Sequence, residues 1–326
     1  MLDAHIHYLL PTWAEQLWAP EVRQISTLWP RLQLRQHLLA DPELALAALD
    51  ARGVRHAVIS PEMSCPPGPQ TPGGPTAALA LTRAMNHATA ALVARYPDRL
   101  RGLAVVNPLG SDADLEELQH AIVALGLHGV IVGASYRGVA IDAAAAQPFL
   151  GLVEALDVPL FIHPTVAGGV QTPRDFGLDA LLAMPFDLTQ TGVRLIVSGR
   201  LQQYARLRVV LTHLGGALPS LLGWLDMLAT PVGPRPAIAA RRFWVDTATA
   251  SPAALAQAVA VFGAEHVLLG TDWPLSTAPH LHDSQTDPAA IIRQAALTPL
   301  ERAAILEGTA LALFAPGGLA TTKPAP

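Results

Sequence analysis

Four short stretches of the chain carry groups whose chemistry belongs together: DAHIH at 3–7, FIHP at 161–164, LTHLGG at 211–216 and GTDWP at 270–274. On a strand, residues two apart share a face, so Asp3, His5 and His7 project the same way, and two imidazoles side by side suit a divalent cation. His163, His213 and Asp272 each end an apolar run: VPLFIH, RVVLTH and HVLLGTD. An unpartnered imidazole or carboxylate in such a place costs several kcal/mol. One residue of this kind is ordinarily a satisfied core histidine or a helix cap. Several at the same end of separate strands need a common explanation. A metal ion taking three or four nitrogen and oxygen ligands, with one position open to water, supplies it.

The segments that must carry these groups alternate. Runs over 2–7, 54–60, 100–107, 129–133, 158–163, 207–213, 243–247 and 266–272 are short and near-continuously apolar, as strands buried on both faces are. Between them, Ala- and Leu-rich stretches of helical period span 42–52, 77–96, 113–125, 143–156, 217–228 and 252–262. A helix broken near Pro185 covers 178–200, and a last helix covers 299–314. Eight strand–helix alternations predict an α/β fold, a (β/α)8 TIM barrel formed as a single domain over residues 1–315; a doubly wound open sheet is the alternative. In a parallel barrel all strand C-termini converge on one face, which is where the candidate groups fall. Long loops follow strands 1 (11–36, with Trp13, Trp18 and Trp29) and 2 (61–76, rich in Pro and Gly), and both reach that mouth. Residues 316–326 read as a flexible tail.

Composition narrows the function. The 326 residues include 21 basic and 26 acidic ones, for a formal charge of −5, and only 14% are charged against 51% hydrophobic. A typical globular chain carries about 25% charged residues, so disorder is excluded. No basic run forms a nucleic-acid footprint. No stretch reaches the roughly 20 apolar residues of a membrane span. The start MLDAHIHYLL lacks the basic region of a secretory signal, and a cytoplasmic protein is expected. Cys65 is the one cysteine, which excludes an internal disulfide and a multi-thiolate zinc site. Twenty of the 21 basic residues are Arg, and the single Lys is Lys323 in the tail. Schiff-base, pyridoxal and phosphate-loop lysine chemistry is thereby set aside, as is a carboxylated lysine bridging two metals.

In this order, DAHIH, FIHP, LTHLGG and GTDWP resemble the amidohydrolase superfamily, and most of all its branch of aminocarboxymuconate-semialdehyde, γ-resorcylate and related aromatic-acid decarboxylases. The resemblance runs from Leu2 to near Phe314, with SGRLQQYARLRVVLTHLGGALPSLLGWLD the most telling stretch. It implies a barrel with one divalent ion, Zn2+ or Mn2+, held by His5, His7, His163 and Asp272. It also implies His213 as an unliganded catalytic histidine, and a homodimer. Binuclear members carry a carboxylated lysine at the end of the fourth strand; here that strand reads GVIVGAS. The implied activity is a mononuclear metal-dependent lyase, a non-oxidative decarboxylase of a small aromatic or unsaturated carboxylic acid. In that reading His213 and Asp272 handle the proton. The alternative is a hydrolase of a lactone, ester or amide, using metal-bound hydroxide on the same constellation. An Arg should meet an anionic substrate in bidentate fashion. Arg137 and Arg174 are the candidates after strands 4 and 5, with Arg23, Arg31 and Arg35 in the first loop. Trp273 could wall the pocket. Asp246, at the end of strand 7, could orient a ligand. Asp3 reads as structural, and His280 and His282 as surface residues.

Overall fold

The structure is a computed structural model and describes residues 1–9, 12–13, 38–63, 66–69, 71–165, 175–227, 233–275 and 287–315. Three of its helices begin where the chain offers a cap followed by proline. Asp41 accepts the Glu43 and Leu44 amides ahead of Pro42–Ala51, Ser251 accepts the Ala254 amide ahead of Pro252–Phe262, and Thr298 forms a capping box with Glu301 ahead of Pro299–Ala303. The cap satisfies amides left open by the first turn, and proline needs none there.

Eight parallel strands form the sheet in chain order: β1 (Leu2–Tyr8), β2 (His56–Pro61), β3 (Leu100–Val105), β4 (Gly129–Gly133), β5 (Leu160–His163), β6 (Val209–Leu211), β7 (Trp244–Asp246) and β8 (Val267–Leu268). The sheet closes on itself. The Ala4 amide donates to the Leu269 carbonyl, His7 to Trp273, and the Asp272 amide to the His5 carbonyl, all within 2.8 Å, and Ile6 bridges Trp273 in parallel. The TIM barrel expected from the alternation is the fold observed.

Alternation along each strand divides the core. Val130, Val132, Leu160, Ile162, Val209, Leu211, Val245 and Val267 join the cluster beneath the helices. Ile131, Phe161, Val210 and Leu268 have the opposite, inward parity, with Trp244 in step on β7. On β1 the inward positions are Asp3, His5 and His7, while Leu2, Ala4, Ile6 and Tyr8 pack toward the helices. This parity positions the chemistry: His163 shares the inward face with Phe161, and Asp246 with Trp244. The inner layer thus ends in polar groups at the C-terminal mouth.

Several elements differ from their sequence expectation. β8 is two residues long where 266–272 was expected. Beyond it the chain passes so close to β7 and β1 that a Cβ on Gly270 would lie 2.8 Å from the Asp246 Cβ and 3.0 Å from the His5 Cβ. The helix expected over 217–228 is reduced to a 3-10 turn, Leu218–Leu221, running directly into a single α turn, Leu222–Leu225. The break near Pro185 is a π turn, Asp179–Ala183, leading into Met184–Val197. A hairpin, Ser135–Tyr136 with Val139–Ala140, follows β4 unannounced by any pattern. The loop after β2 is more than a connection, since Met63, Pro66, Pro67 and Gly68 are buried. Among the described residues no helix is long and apolar enough to cross a membrane.

Candidate metal centre

β1 brings His5 and His7 to the mouth, β5 brings His163, and the turns after β6 and β8 bring His213 and Asp272. The His5 ring centroid lies 4.8 Å from that of His7 and 5.3 Å from those of His163 and His213; His163 and His213 are 5.6 Å apart. One ligand atom from each of His5, His163, His213 and Asp272 falls within 4.8 Å of the others. His7 belongs to the same cluster, its Nε2 2.9 Å from His5 Nε2 and 3.3 Å from Asp272 Oδ1. His213 reaches the site by a different route from the strand-borne groups. Parity from Val210 does not bring it inward; a left-handed backbone does, with φ of 51° at His213 and 56° at Asp272. Such conformations store strain and recur at working sites.

The second ring nitrogens sort the histidines. His5 Nδ1 lies 2.9 Å from Asp246 Oδ2, and a carboxylate only accepts. His163 Nδ1 lies 2.8 Å from the Pro164 carbonyl. His7 Nδ1 faces Ser60 Oγ at 3.0 Å and the Pro61 carbonyl at 3.2 Å, while the Ser60 hydroxyl gives its own proton to Pro61. In all three rings Nδ1 must therefore carry a hydrogen, which leaves Nε2 as the atom aimed at the shared centre. His213 Nδ1 meets the Thr249 hydroxyl at 3.2 Å, a group that donates or accepts, so this ring is not committed.

The centre is short of positive charge. The His163 and His213 Nε2 atoms and Asp272 Oδ1 are buried without a hydrogen-bond partner, and the facing Nε2 lone pairs of His5 and His7 repel unless a proton or a cation lies near. Burial opposes a charge on His5, but Asp246, Asp272 and Asp3 hold its pKa up to about 9. Burial, and then the neighbouring imidazoles, push His163 well down. Burial also lowers His213. Burial disfavours the carboxylates of Asp246 and Asp272 as well, yet the facing histidines keep both below the usual range. Asp3 is pushed up to about 6 by burial against its bond to the Thr271 hydroxyl. An acceptor-rich cluster of three imidazoles and a carboxylate fits one divalent ion. A second ion has no ligand at the end of β4: a Cβ at Gly133 would already lie 2.5 Å from Thr165 Cγ2 and 3.0 Å from Pro66 Cγ.

A family model described as Amidohydrolase matches residues 2–315. The chain belongs to the amidohydrolase family. This amidohydrolase is 28% identical over 278 residues to the γ-resorcylate decarboxylase of Rhodococcus jostii, covering 78% of this chain and 83% of the relative. It is 31% identical over 230 residues to the 6-methylsalicylic acid decarboxylase of Penicillium expansum, covering 66% and 69%. Among solved structures, a dihydroxybenzoic acid decarboxylase from a Polaromonas species, with manganese and 2-nitroresorcinol bound, matches with a TM-score of 0.78 over 96% of both chains at 22% identity. That last likeness is one of fold.

The other residues named from the amidohydrolase's sequence divide. Asp246 is fully buried and accepts from His5 Nδ1, from the His213 amide at 2.9 Å and from the Ala248 amide at 3.0 Å. Asp3 ties β1 to Thr271. Trp273 is buried, and its backbone pairs with β1 at Ile6 and His7. Arg137 stands exposed at the tip of the hairpin after β4. Arg23, Arg31, Arg35, Arg174, Trp18, Trp29, Cys65, His280, His282 and the tail with Lys323 lie outside the described residues. Sequence reasoning passed over Ser60, although it ends an apolar strand much as His163 does. It also passed over the buried Asp187, which accepts from the Thr165 amide and the Ser135 hydroxyl and so fixes the chain after His163. Thr249 had no signal in the sequence at all.

Proposed function

We propose that this amidohydrolase decarboxylates an aromatic acid carrying a hydroxyl ortho to its carboxylate, with one divalent ion held by His5, His7, His163 and Asp272. The observation that carries the proposal is the convergence on one buried point of Asp272 Oδ1 and three Nε2 atoms whose rings have Nδ1 held elsewhere. The relatives supply the reaction class. γ-Resorcylate and 6-methylsalicylate both place a hydroxyl beside the carboxylate, where it feeds electron density to the carbon that must be protonated. The nitrogen-rich set suits Zn2+, with Mn2+ as the alternative.

When bound, the ion supplies a Lewis acid that polarises the substrate's carboxylate and the adjacent oxygen. The chain's own groups do the rest. Asp246 and the Ser60–Pro61 corner orient His5 and His7. His213 takes up a proton from water at Nε2, passes it to the ring carbon that bears the carboxylate, and returns to the neutral ring with its hydrogen on Nδ1. The carbon–carboxylate bond then breaks, its electron pair restores the aromatic ring, and carbon dioxide leaves. Asp272 stands beside this path as a second proton-handling group. Substrate contact is assigned to Arg137 at the rim and to Arg174, which follows β5 in the sequence.

The test is incubation of the metal-loaded protein with 2,6-dihydroxybenzoate and with 6-methylsalicylate. Carbon dioxide, resorcinol and 3-methylphenol are expected, with one deuterium at the vacated carbon in heavy water and no oxygen from solvent. Both acids left intact, with an aryl ester or lactone opened to an acid carrying solvent oxygen, would point to the hydrolase reading instead.

Loading should also be linked to pH. Below about 9 the metal-free His5 carries a proton that an incoming ion must displace. Binding should therefore release protons at pH 7, and apparent affinity should rise with pH until His5 has titrated, then level off. Calorimetry in buffers of different ionisation enthalpy measures the release; affinity independent of pH would contradict it.

A further inference from the structure

The turn after β7 is pinned from both sides. The Thr247 hydroxyl exchanges hydrogen bonds with the Gly270 carbonyl and amide, and the Ala248 amide donates to Asp246. The next residue, Thr249, is exposed and has φ of 59°. A β-branched residue in the left-handed region is an outlier, and glycine or asparagine would occupy such an exposed turn with less strain. The fold alone does not call for threonine here. Its hydroxyl, however, lies 3.2 Å from His213 Nδ1, on the opposite side of the ring from the buried, unpartnered Nε2.

We propose that Thr249 is a positioning residue for His213: its Oγ1 accepts the Nδ1 hydrogen, fixes the plane of the ring and leaves Nε2 as the atom facing the substrate. This rests on the role given to His213 above. The contrast with the other three rings supports it. Their Nδ1 atoms are held by carboxylate and carbonyl groups at or just past strand ends, whereas the ring that must move a proton is held by a neutral hydroxyl on a strained turn. The strain recorded at Thr249 is what a retained side-chain function predicts.

The test compares Thr249→Val, Thr249→Ser and Thr249→Gly with His213→Ala in the metal-loaded enzyme, using 2,6-dihydroxybenzoate. Valine keeps the shape and removes the hydroxyl. It should lower kcat tenfold or more, with KM within twofold and metal content unchanged. Serine restores the hydroxyl and should stay within threefold of the parent. Glycine relieves the backbone and should melt at or above the parent temperature while losing kcat as valine does. In the metal-free protein, the His213 ring nitrogen shifts should move in the valine variant and not in the serine variant. Parent-like kcat for valine beside an inactive His213→Ala would overturn the Thr249 proposal alone. So would a valine variant that has lost its metal or its fold. An active His213→Ala would instead overturn the reading on which the proposal rests.

Discussion

Replacing His213 by alanine should lower kcat by about 10²–10⁴-fold, the usual contribution of a placed acid–base group, while leaving the metal content of the protein unchanged. The second half of this expectation distinguishes His213 from its neighbours. Its Nδ1 is held by a neutral hydroxyl, a weaker second partner than the carboxylate and carbonyl groups behind His5, His7 and His163. The turn that carries it is held through its main chain, the His213 amide donating to Asp246 Oδ1 at 2.9 Å, and this bond survives removal of the ring. Elemental analysis of the purified variant alongside a rate measurement reads both halves. An inactive variant that has also lost its metal would move His213 into the ligand set, which the distances among His5, His163, His213 and Asp272 would accommodate.

Asp246→Ala should be the most damaging single change to the framework of the site. The carboxylate is fully buried, and it holds three donors from three parts of the chain: His5 Nδ1, the His213 amide and the Ala248 amide. Removing one partner of a buried ion pair typically costs about 3–5 kcal/mol, because the other is left unsolvated. Loss of a group orienting a metal-binding histidine typically weakens metal binding by about 10–100-fold. Asp246→Asn separates these effects. Its carbonyl oxygen can still receive the two main-chain amides, so the fold should hold. Its NH2 then faces His5 Nδ1 and turns the ring to the tautomer with hydrogen on Nε2, which closes that ligand. The asparagine variant is expected to unfold at a denaturant concentration near that of the parent and to copurify with little metal. An asparagine variant with full metal content would show that Asp246 does not set the His5 tautomer.

Much of this site could be read from the amino-acid order because burial makes polar groups conspicuous. His163 and Asp272 stand at the ends of runs that only a buried strand explains, and strand parity carries the inward face of Phe161 and Trp244 on to His163 and Asp246. The histidine pair on β1 follows from the two-residue repeat in the same way. What escaped depends on dihedral angles and on close approaches that residue type does not encode. The inward turn of His213 is made by a left-handed backbone. β8 is short because Gly270 lets the chain pass against Asp246 and His5. The hairpin that lifts Arg137 to the surface occupies six residues with no distinctive spacing. A bridging lysine at the end of β4 is excluded by sterics as well as by composition, since Gly133 has no room even for a methyl group.

The central claim is that groups from separate strands enclose one cation and not two. Titrating the metal-free protein with Mn2+ and following the free ion by electron paramagnetic resonance tests it directly. The account predicts a break at about one ion per chain, and its loss in His163→Ala. A break at two tightly held ions, or one unchanged when His163 is removed, would contradict it.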